Sequence, residues 1–356
     1  MTSLPLPPRQ TGMTTEIDGF PVVLHFGDVQ SEYAALRTAA VLVDRGHRRR
    51  VRVSGPKASE VVTGLVTNDV SALVAGQGCY AAALTAKGKI VADLRIFAEE
   101  GSLLIDAPTR AGTGWTEMLR KYVNPRLAPW KDESLALGTV GVYGAQARRV
   151  VAAATGVAAA TLGALAPYGH VGADVEGSRT IVARSPDLGL EGYDLFVPME
   201  SRDALWRALG DGGATPTGLA VWEIARIEAG RPEWGLDIDE TTLAQEANMD
   251  ELHAISYTKG CYVGQETVAR VHFRGHVNRH LRGLRFPAGE PLPYKAMLVD
   301  DSGKTVGDLR SSAISPRLGG IGIGMVRREI EPGTSVAAHW EGGDSRVEIV
   351  ALPFPL

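Results

Sequence analysis

The chain has 356 residues, a length that accommodates two or three domains and at least one large hydrophobic core. Its 37 Lys and Arg residues and 41 Asp and Glu residues give a net charge of −4, which argues against a nucleic-acid carrier or a polybasic membrane protein. Two Cys, at positions 79 and 261, exclude a disulfide-rich scaffold and any cluster or zinc site held by four cysteines of one chain.

The N-terminal segment MTSLPLPPRQTG is rich in Pro and lacks the apolar core of a signal peptide, so it predicts a flexible arm over residues 1–13. Residues 150–173 carry no Asp, Glu, Lys or Arg, but they are rich in Ala and interrupted by Gly and Pro. This composition favours a short helix, a loop and a strand over a membrane span. We therefore expect a cytoplasmic protein that does not enter a membrane.

Periodicity and turn residues predict a mixture of helices and strands. The first elements in chain order are a helix over 29–40 capped by Asp28, the strand VRVSGP, a helix ending at Val66, and a hairpin over 80–98 that turns at Lys87-Gly88-Lys89. They are followed by the strand GSLLIDAP, a helix from Trp115 to Val123, the strand TVGVYG and an Ala-rich helix. The strands RTIVARS and YDLFVP and helices over 201–209 and 218–229 complete the series. The absence of a regular β-α-β alternation favours an α+β fold.

From residue 281 short β-like segments follow one another, separated by turns such as Asp301-Ser302-Gly303. This pattern predicts a small antiparallel barrel over residues 281–356, including the Gly-rich segment 319–324 as strand and turn. The preceding region, 14–280, is expected to form the main body of the protein. No heptad pattern indicates an oligomeric state.

One segment, KGCYVGQE at 259–266, carries a distinctive combination of residues. A helix is predicted to begin at Gly264-Gln265-Glu266, which would place Cys261 just before a helix N-terminus and beside Lys259. Both features favour a reactive thiolate. The alternative is that Cys261 is a small buried hydrophobic residue, the commonest role of a free cysteine.

This octet resembles the signature of the folate-binding YgfZ family, relatives of the glycine-cleavage T-protein, which is an aminomethyltransferase. Its motif residues here are Lys259, Gly260, Cys261, Tyr262, Gly264, Gln265 and Glu266. Four other segments of this chain also resemble T-protein segments, so the resemblance covers most of the chain. They are SEYAALRTAAVLVD, LVTNDV, GQGCYAAALTAKGKIVADLRIF and ARIEAGRPEWGLDID.

The resemblance implies a three-lobed aminomethyltransferase-like fold, with two interleaved α+β subdomains over 14–280 and a central cavity for tetrahydrofolate or a derivative. It implies an accessory factor that assembles or maintains iron–sulfur client proteins, including tRNA-modifying enzymes, with Cys261 as the functional thiol. The alternative is a folate-dependent aminomethyl or methyl transferase, or a demethylase, that uses Asp93 as its acid/base group. A folate-free scaffold is the third hypothesis.

The same resemblance assigns cofactor contacts to five residues: Asn68, Tyr80, Asp93, Asp194 and Arg226. Asp93 is what remains of an acidic pair in the T-protein, and Asp194 falls where a carboxylate holds the pterin ring by accepting hydrogen bonds. The alternatives are an exposed strand position for Asp93 and a solvent-facing position for Asp194. Because Ala92-Asp93 stands here in place of the acidic pair, only one acid remains. Aminomethyl transfer is therefore less expected than folate binding.

Between Thr267 and Gly289 the chain has no acidic residue, whereas it has five Arg and the histidines His272, His276 and His280. This stretch is either a solvated face or a positive field for a folate polyglutamate tail, an acidic protein surface or, less directly, tRNA. We expect Arg270, Arg274 and Arg279 to lie at the cavity entrance. Gly275 predicts that the helix ends before the three histidines align, so no metal site is expected. A second basic cluster, Arg45, His47, Arg48, Arg49, Arg50 and Arg52, allows the same two interpretations.

Overall fold

The computed structural model describes residues 12–355. The arm predicted over residues 1–13 thus lies outside the described residues except at its last two positions, and Met13 already begins a strand. The helices are α1 Val29–Thr38, α2 Ala58–Thr63, α3 Gly112–Tyr122, α4 Ala147–Thr155, α5 Ala159–Ala164, α6 Arg202–Asp211, α7 Leu219–Glu228 and α8 Gln265–Arg274.

Nineteen strands lie within the described residues. They are β1 Met13–Ile17, β2 Phe20–His25, β3 Ala40–Asp44, β4 Arg49–Ser54, β5 Gly78–Leu84, β6 Ile90–Glu99, β7 Ser102–Ala107, β8 Trp130–Asp132, β9 Leu137–Tyr143, β10 His170–Val175, β11 Ser178–Arg184, β12 Gly192–Pro198, β13 Ala214–Pro216, β14 Arg279–Phe286, β15 Met297–Val299, β16 Thr305–Ser315, β17 Gly319–Arg327, β18 Ser335–Trp340 and β19 Gly343–Val350.

Local sequence accounts for where the helices begin and end. The Asp28 carboxylate accepts hydrogen bonds from the backbone N–H groups of Gln30 and Ser31, so it caps α1 as predicted. Helix α2 is shorter than expected because Gly64 follows its last turn and Val66 pairs with Ala83 of β5 as an isolated bridge. Tertiary pairing thus takes the end of that segment away from the helix.

The first lobe is a five-stranded antiparallel sheet in the order β5-β6-β7-β4-β8. The predicted hairpin forms β5 and β6, and Gly88 occupies the positive-φ position of its turn at φ 75°. Apolar residues on one face, among them Val53, Leu94 and Ile105, pack against α2 and α3 through Val62 and Trp115. This packing gives the lobe a hydrophobic core of its own.

The second lobe is a six-stranded sheet in the order β10-β11-β12-β9-β3-β13. Its core lies against α4 and α6. Strand β3 belongs to this sheet, whereas β4, the next strand along the chain, belongs to the first. Residues 45–48 therefore cross from one lobe to the other, which brings two arginines to the junction between the sheets.

The third lobe is a closed antiparallel barrel in the order β14-β17-β16-β15-β18-β19, with β19 pairing back to β14. The prediction of a C-terminal antiparallel barrel is confirmed, and the first barrel strand begins at Arg279. The Gly-rich segment forms strand β17. A Cβ at Gly322 would lie 2.7 Å from the Ser311 carbonyl oxygen, so the close approach of β16 requires glycine there.

Helix α7 connects the lobes. Its Arg226 donates to Ser311 Oγ of the barrel at 2.8 Å, and Glu228 accepts hydrogen bonds from Tyr33 of α1 and Ser315 of the barrel. The α+β, three-lobed architecture expected from the sequence is confirmed. None of the helices in the described part of the chain has the length and apolarity that crossing a bilayer requires.

Candidate functional site

A cavity of about 550 Å³ lies where the lobes meet. It has the size and the mainly apolar lining of a small-molecule site. The lining comes from α1, the start of β5, two loops of the second lobe, the end of α7, the connection between α7 and α8, and the C-terminal tail. The lining residues are Arg37, Gly78, Cys79, Tyr80, Pro167, Tyr168, Pro186, Leu188, Gly189, Glu228, Ala229, Arg231, Glu251, Leu252, His253 and Pro353.

A smaller inner chamber of about 30 Å³ adjoins this cavity, and Tyr80 and Arg231 line both spaces. The Arg231 guanidinium carbon lies 4.4 Å from the centre of the Tyr80 ring, in a cation–π contact. Charged residues dominate the chamber, which is lined by Arg45, Arg48, Tyr80, Asp93, Arg95, Asp187, Trp222, Arg226, Arg231, Pro232 and Glu233. The two spaces together form the candidate site.

Asp93 of β6 lies in the wall of the inner chamber and is 6% exposed. The Tyr80 hydroxyl donates to its Oδ2 at 2.9 Å, whereas its Oδ1 is buried without a hydrogen-bond partner among the described residues. Burial raises the pKa of Asp93, opposed by the nearby Arg48. Asp93 is thus a buried carboxyl with one free oxygen, and the alternative of an exposed strand position is wrong.

Asp194 takes a different position from the one that the resemblance implies. It is 1% exposed, its Oδ2 accepts from Arg95 Nη1, and its Oδ1 accepts from the Tyr143 hydroxyl at 2.5 Å. Neither space is lined by this residue. Asp194 thus lies away from both spaces and supports the buried network, so the structure gives no contact that would place a ligand on it. The alternative of a solvent-facing position is wrong, because the residue is buried.

Arg95 is the centre of this buried network. Besides Asp194, it binds Asp106 Oδ2 at 2.9 Å through Nε and Asp187 Oδ2 at 3.1 Å through Nη1. Burial opposes ionisation of Asp106, but the adjacent Arg48 and Arg95 lower its pKa to about 2. Three carboxylates thus share one arginine, which fixes the floor of the chamber.

Asp187, Arg231 and Glu233 line the site, although sequence reasoning did not single them out. Arg231 Nη2 donates to Asp187 Oδ1 at 2.8 Å and also to the Tyr168 hydroxyl. Arg231 and Glu233 lie within the segment ARIEAGRPEWGLDID, so the resemblance offered a signal for both. Asp187 lies in the β11–β12 loop, and nothing in its local sequence distinguishes it from a surface turn.

Two other predicted contacts have structural partners. Arg226 lines the chamber but is engaged by Glu223 at 2.5 Å and Asp237 at 2.7 Å. Asn68 is not part of either lining, and its Nδ2 donates to the backbone oxygens of Tyr80 at 2.9 Å and His253 at 3.0 Å. Asn68 therefore positions two cavity residues, which corrects its predicted role as a direct contact.

The octet 259–266 lies outside the cavity. Cys261 is exposed, and α8 begins only at Gln265, four residues later. The Lys259 ammonium group donates to the carbonyl oxygens of Thr63 and Val66, and burial lowers the pKa of Lys259 to about 8. Lys259 thus ties the octet to the first lobe, and the predicted pairing of its charge with Cys261 is not observed.

The conformation of the octet rests on Gly264, whose φ is 87°. A Cβ at this position would lie 2.7 Å from the Thr85 carbonyl oxygen and 2.9 Å from Leu84 Cβ. The backbone therefore lies directly on the β5–β6 hairpin that carries Asp93. Tyr262 is buried, with the Lys259 ammonium group 4.4 Å from its ring centre.

The basic stretch after the octet does not line the cavity, so the predicted entrance role of Arg270, Arg274 and Arg279 is not supported. Arg270 and Arg274 are exposed on α8, and Arg279 pairs with Glu246 at 2.9 Å. His272 stacks on Tyr257, whereas His280 lies in β14 beyond the end of the helix. The three histidines therefore do not share a helix face.

The two cysteines have different environments. Cys79 lies in the lining of the main cavity, and burial raises the pKa of its thiol to about 12. Cys261 is exposed on the outer loop and does not contribute to the cavity. A cysteine that contacts a cavity ligand would thus be Cys79, and one that contacts a partner protein would be Cys261.

Comparison with known proteins identifies the family. Residues 10–256 match the GCVT N-terminal domain, and residues 279–355 match the glycine cleavage T-protein C-terminal barrel domain. The chain belongs to the glycine-cleavage T-protein family. The resemblance seen in the sequence is therefore confirmed at the level of this family.

Curated T-protein relatives include an aminomethyltransferase of Saccharopolyspora erythraea, 29% identical over 96% of this chain and 93% of its own length. An aminomethyltransferase of Rubrobacter xylanophilus is 29% identical over 94% of this chain and 88% of its own length. Among solved structures, the glycine cleavage system aminomethyltransferase T of Bartonella henselae superposes with a TM-score of 0.85 at 23% identity, covering 97% of this chain and 95% of the other. The last comparison supports the fold.

T-protein aminomethyltransferases bind tetrahydrofolate, and the site fits such a ligand in part. The cavity volume is adequate, Tyr80 and Tyr168 present nearly parallel rings 6.0 Å apart, and Asp93 Oδ1 is a buried acceptor without a donor. Asp194 does not fit, since Arg95 and Tyr143 occupy its oxygens. A folate bound in the main cavity would therefore meet Tyr80 and Arg231, and Asp93 would act on it from the adjoining chamber, where it accepts a hydrogen bond from Tyr80.

Proposed function

We propose that this T-protein relative transfers a one-carbon unit to tetrahydrofolate, as an aminomethyl or methyl transferase or a demethylase, with aminomethyl transfer the best-supported reaction. Asp93 would be its acid/base group. The observation that carries the proposal is the free, buried Oδ1 of Asp93, which faces the chamber that adjoins the main cavity at Tyr80.

The chemistry follows from the environment of Asp93. When bound, tetrahydrofolate would supply the nitrogen atoms that accept the one-carbon unit. A departing amine must gain a proton, and a carboxyl group whose pKa is raised by burial can hold that proton and release it. Tyr80 fixes the orientation by donating to Oδ2, so Oδ1 is left for the reacting group.

The test separates binding from turnover. Wild-type protein is incubated with tetrahydrofolate and aminomethyl or methylamine donors, and methylene-tetrahydrofolate is measured. Asp93→Asn should retain folate binding within a few-fold and lose at least about 100-fold of the turnover, the usual contribution of a general acid. Asp69→Asn, on a neighbouring loop that does not line the cavity, is the control. No turnover in the wild type with any of these donors would refute the proposal.

A second candidate is the accessory role in iron–sulfur protein maintenance, including tRNA-modifying clients, that the YgfZ-type octet implies. The exposure of Cys261 outside the cavity favours it, because a client protein could reach this thiol without entering the folate site. In a deletion strain, Cys261→Ser should fail to restore client enzyme activity, whereas Cys79→Ser should restore it. Full restoration by Cys261→Ser would exclude a thiol-dependent role.

A further inference from the structure

Two buried polar atoms that line the inner chamber have no hydrogen-bond partner among the described residues. They are Arg45 Nε and Asp93 Oδ1, and the half-buried carboxyl group of Glu233 lines the same chamber. Buried polar groups in proteins are nearly always hydrogen-bonded, so two such atoms beside one small space indicate that a ligand or water completes the arrangement.

Arg45 is the most unusual of the three. It is 3% exposed, forms no ion pair or side-chain hydrogen bond with any residue in the range 12–355, and stacks on Trp222 with its guanidinium carbon 3.5 Å from the ring centre. The lobe crossover at 45–48 holds it there. Burying a cation without a paired anion is costly, and the cost is readily explained when an anionic group binds beside it.

Arg48 extends the positive wall. Its Nε donates to Asp106 at 2.6 Å, and its guanidinium also interacts with the charges of Asp93 and Glu233. Burial raises the pKa of Glu233, in the same direction as that of Asp93. The chamber therefore presents arginine donors and carboxyl acceptors to the same small volume.

Size limits what can bind. A volume of about 30 Å³ holds roughly two water molecules, so a carboxylate group fits while a folate ring system does not. Tyr80 and Arg231 line the main cavity as well, so a ligand longer than a carboxylate group would extend towards that space. A ligand with a carboxylate for the arginines and an ammonium group for the carboxyls matches both the charges and the volume.

We infer that the inner chamber binds a small zwitterionic amino acid of about glycine size, with its carboxylate on Arg45 and its ammonium group at Asp93 and Glu233. The inference deepens the proposed function, because it names the class of amine-bearing ligand beside Asp93. Binding itself requires neither folate nor turnover, so the two proposals fail separately.

The experiment is a ligand-observed NMR titration of the full-length protein with glycine, formate and methylammonium at constant ionic strength. Glycine should bind at least about tenfold more tightly than formate or methylammonium, each of which satisfies half of the site. Arg45→Met, which keeps the contact with Trp222, should weaken glycine binding at least about tenfold. Arg49→Met, in the adjacent strand and outside the chamber, should change it less than about twofold.

Thermal unfolding of the same variants tests whether the loss of glycine affinity arises in the chamber and not from a less stable fold. Arg45→Met should unfold at the wild-type temperature or above it, since it removes a buried unpaired cation. No glycine binding by the wild type, equal binding by Arg45→Met, or equal affinity for formate would each overturn the inference. Folinic acid is titrated separately into the wild type, so that a failure of the folate proposal appears there and not in the glycine titration.

Discussion

The role of Asp194 can be decided by one conservative substitution, Asp194→Asn. The family resemblance implies a carboxylate that binds the pterin ring at this place, whereas here Arg95 and Tyr143 donate to its two oxygens. Asparagine keeps the shape of the side chain and removes its charge. If the residue anchors Arg95, the substitution lowers the stability of the fold and leaves the affinity for folate nearly unchanged.

The burial of the ion pair between Asp194 and Arg95 determines how much stability the substitution should remove. Breaking a fully buried ion pair costs about 3–5 kcal/mol. Because Arg95 keeps Asp106 and Asp187 as partners, we expect the lower end, about 3 kcal/mol. With an unfolding entropy of about 2 cal/mol/K per residue, a chain of 356 residues that unfolds as one unit would lose about 4 °C in its melting temperature.

Urea unfolding followed by tryptophan fluorescence measures the loss, and a titration with folinic acid measures ligand affinity on the same samples. The control is Asp301→Asn, which removes the same charge from a pair with Arg346 whose side chains are 81% and 60% exposed. Exposed pairs contribute at most about 1 kcal/mol, so this variant should unfold like the wild type. Unchanged stability in Asp194→Asn together with a tenfold loss of folate affinity would refute the anchoring role.

Three further predictions concern other parts of the site. The pKa of Asp106 is lowered to about 2 in the folded state. Its contribution to the free energy of unfolding is therefore fully present above its unfolded pKa and is lost as the pH falls towards 2. Urea unfolding should show that the free energy of unfolding falls by about 2 kcal/mol between pH 5 and pH 2, and that it falls less in Asp106→Asn. Equal pH dependence of stability in the wild type and the variant would contradict this assignment. Iodoacetamide at pH 8 should modify Cys261 within minutes and Cys79 far more slowly, because only Cys261 is exposed and burial raises the pKa of Cys79 to about 12. Peptide mass spectrometry measures the modification of both cysteines, and equal rates would show that the cavity is open to solvent. Gly264→Ala should cost about 1–3 kcal/mol, since its φ of 87° and its contact with the Thr85 carbonyl both oppose a side chain, whereas Gly260→Ala, with open space around it, should be tolerated.

Much of the fold could be predicted from the sequence because its signals are local. Turn residues and alternating apolar positions indicated the β5–β6 hairpin and the barrel, and Asp28 marked the start of α1. These features depend on neighbours along the chain. The same reasoning placed the start of the helix after the octet correctly, since α8 begins at Gln265 with Gly264 as its N-cap.

The electrostatics of the site could not be predicted in the same way. The cluster from Arg45 to Arg52 was expected to be a solvated face or a positive field, yet Arg45, Arg48 and Arg50 are 6% exposed or less. Their burial depends on a crossover between two sheets and on acids that are distant in the chain, such as Asp187 and Asp106, which lies 58 residues from its partner Arg48. No local pattern distinguishes a buried, paired arginine from an exposed one.

The inner chamber and the main cavity present different groups to a ligand. Arg95 and Tyr143 bind the carboxylate of Asp194, and this residue lines neither space. Asp93 Oδ1 and Arg45 Nε are buried without a hydrogen-bond partner among the described residues, and together with Glu233 these side chains line the small chamber and not the larger cavity. Because Tyr80 and Arg231 line both spaces, a ligand in one would alter the rings and charges that meet a ligand in the other. The two adjacent spaces therefore share the wall that holds Asp93 in place, and this wall would couple a folate in the larger space to an amine in the smaller one.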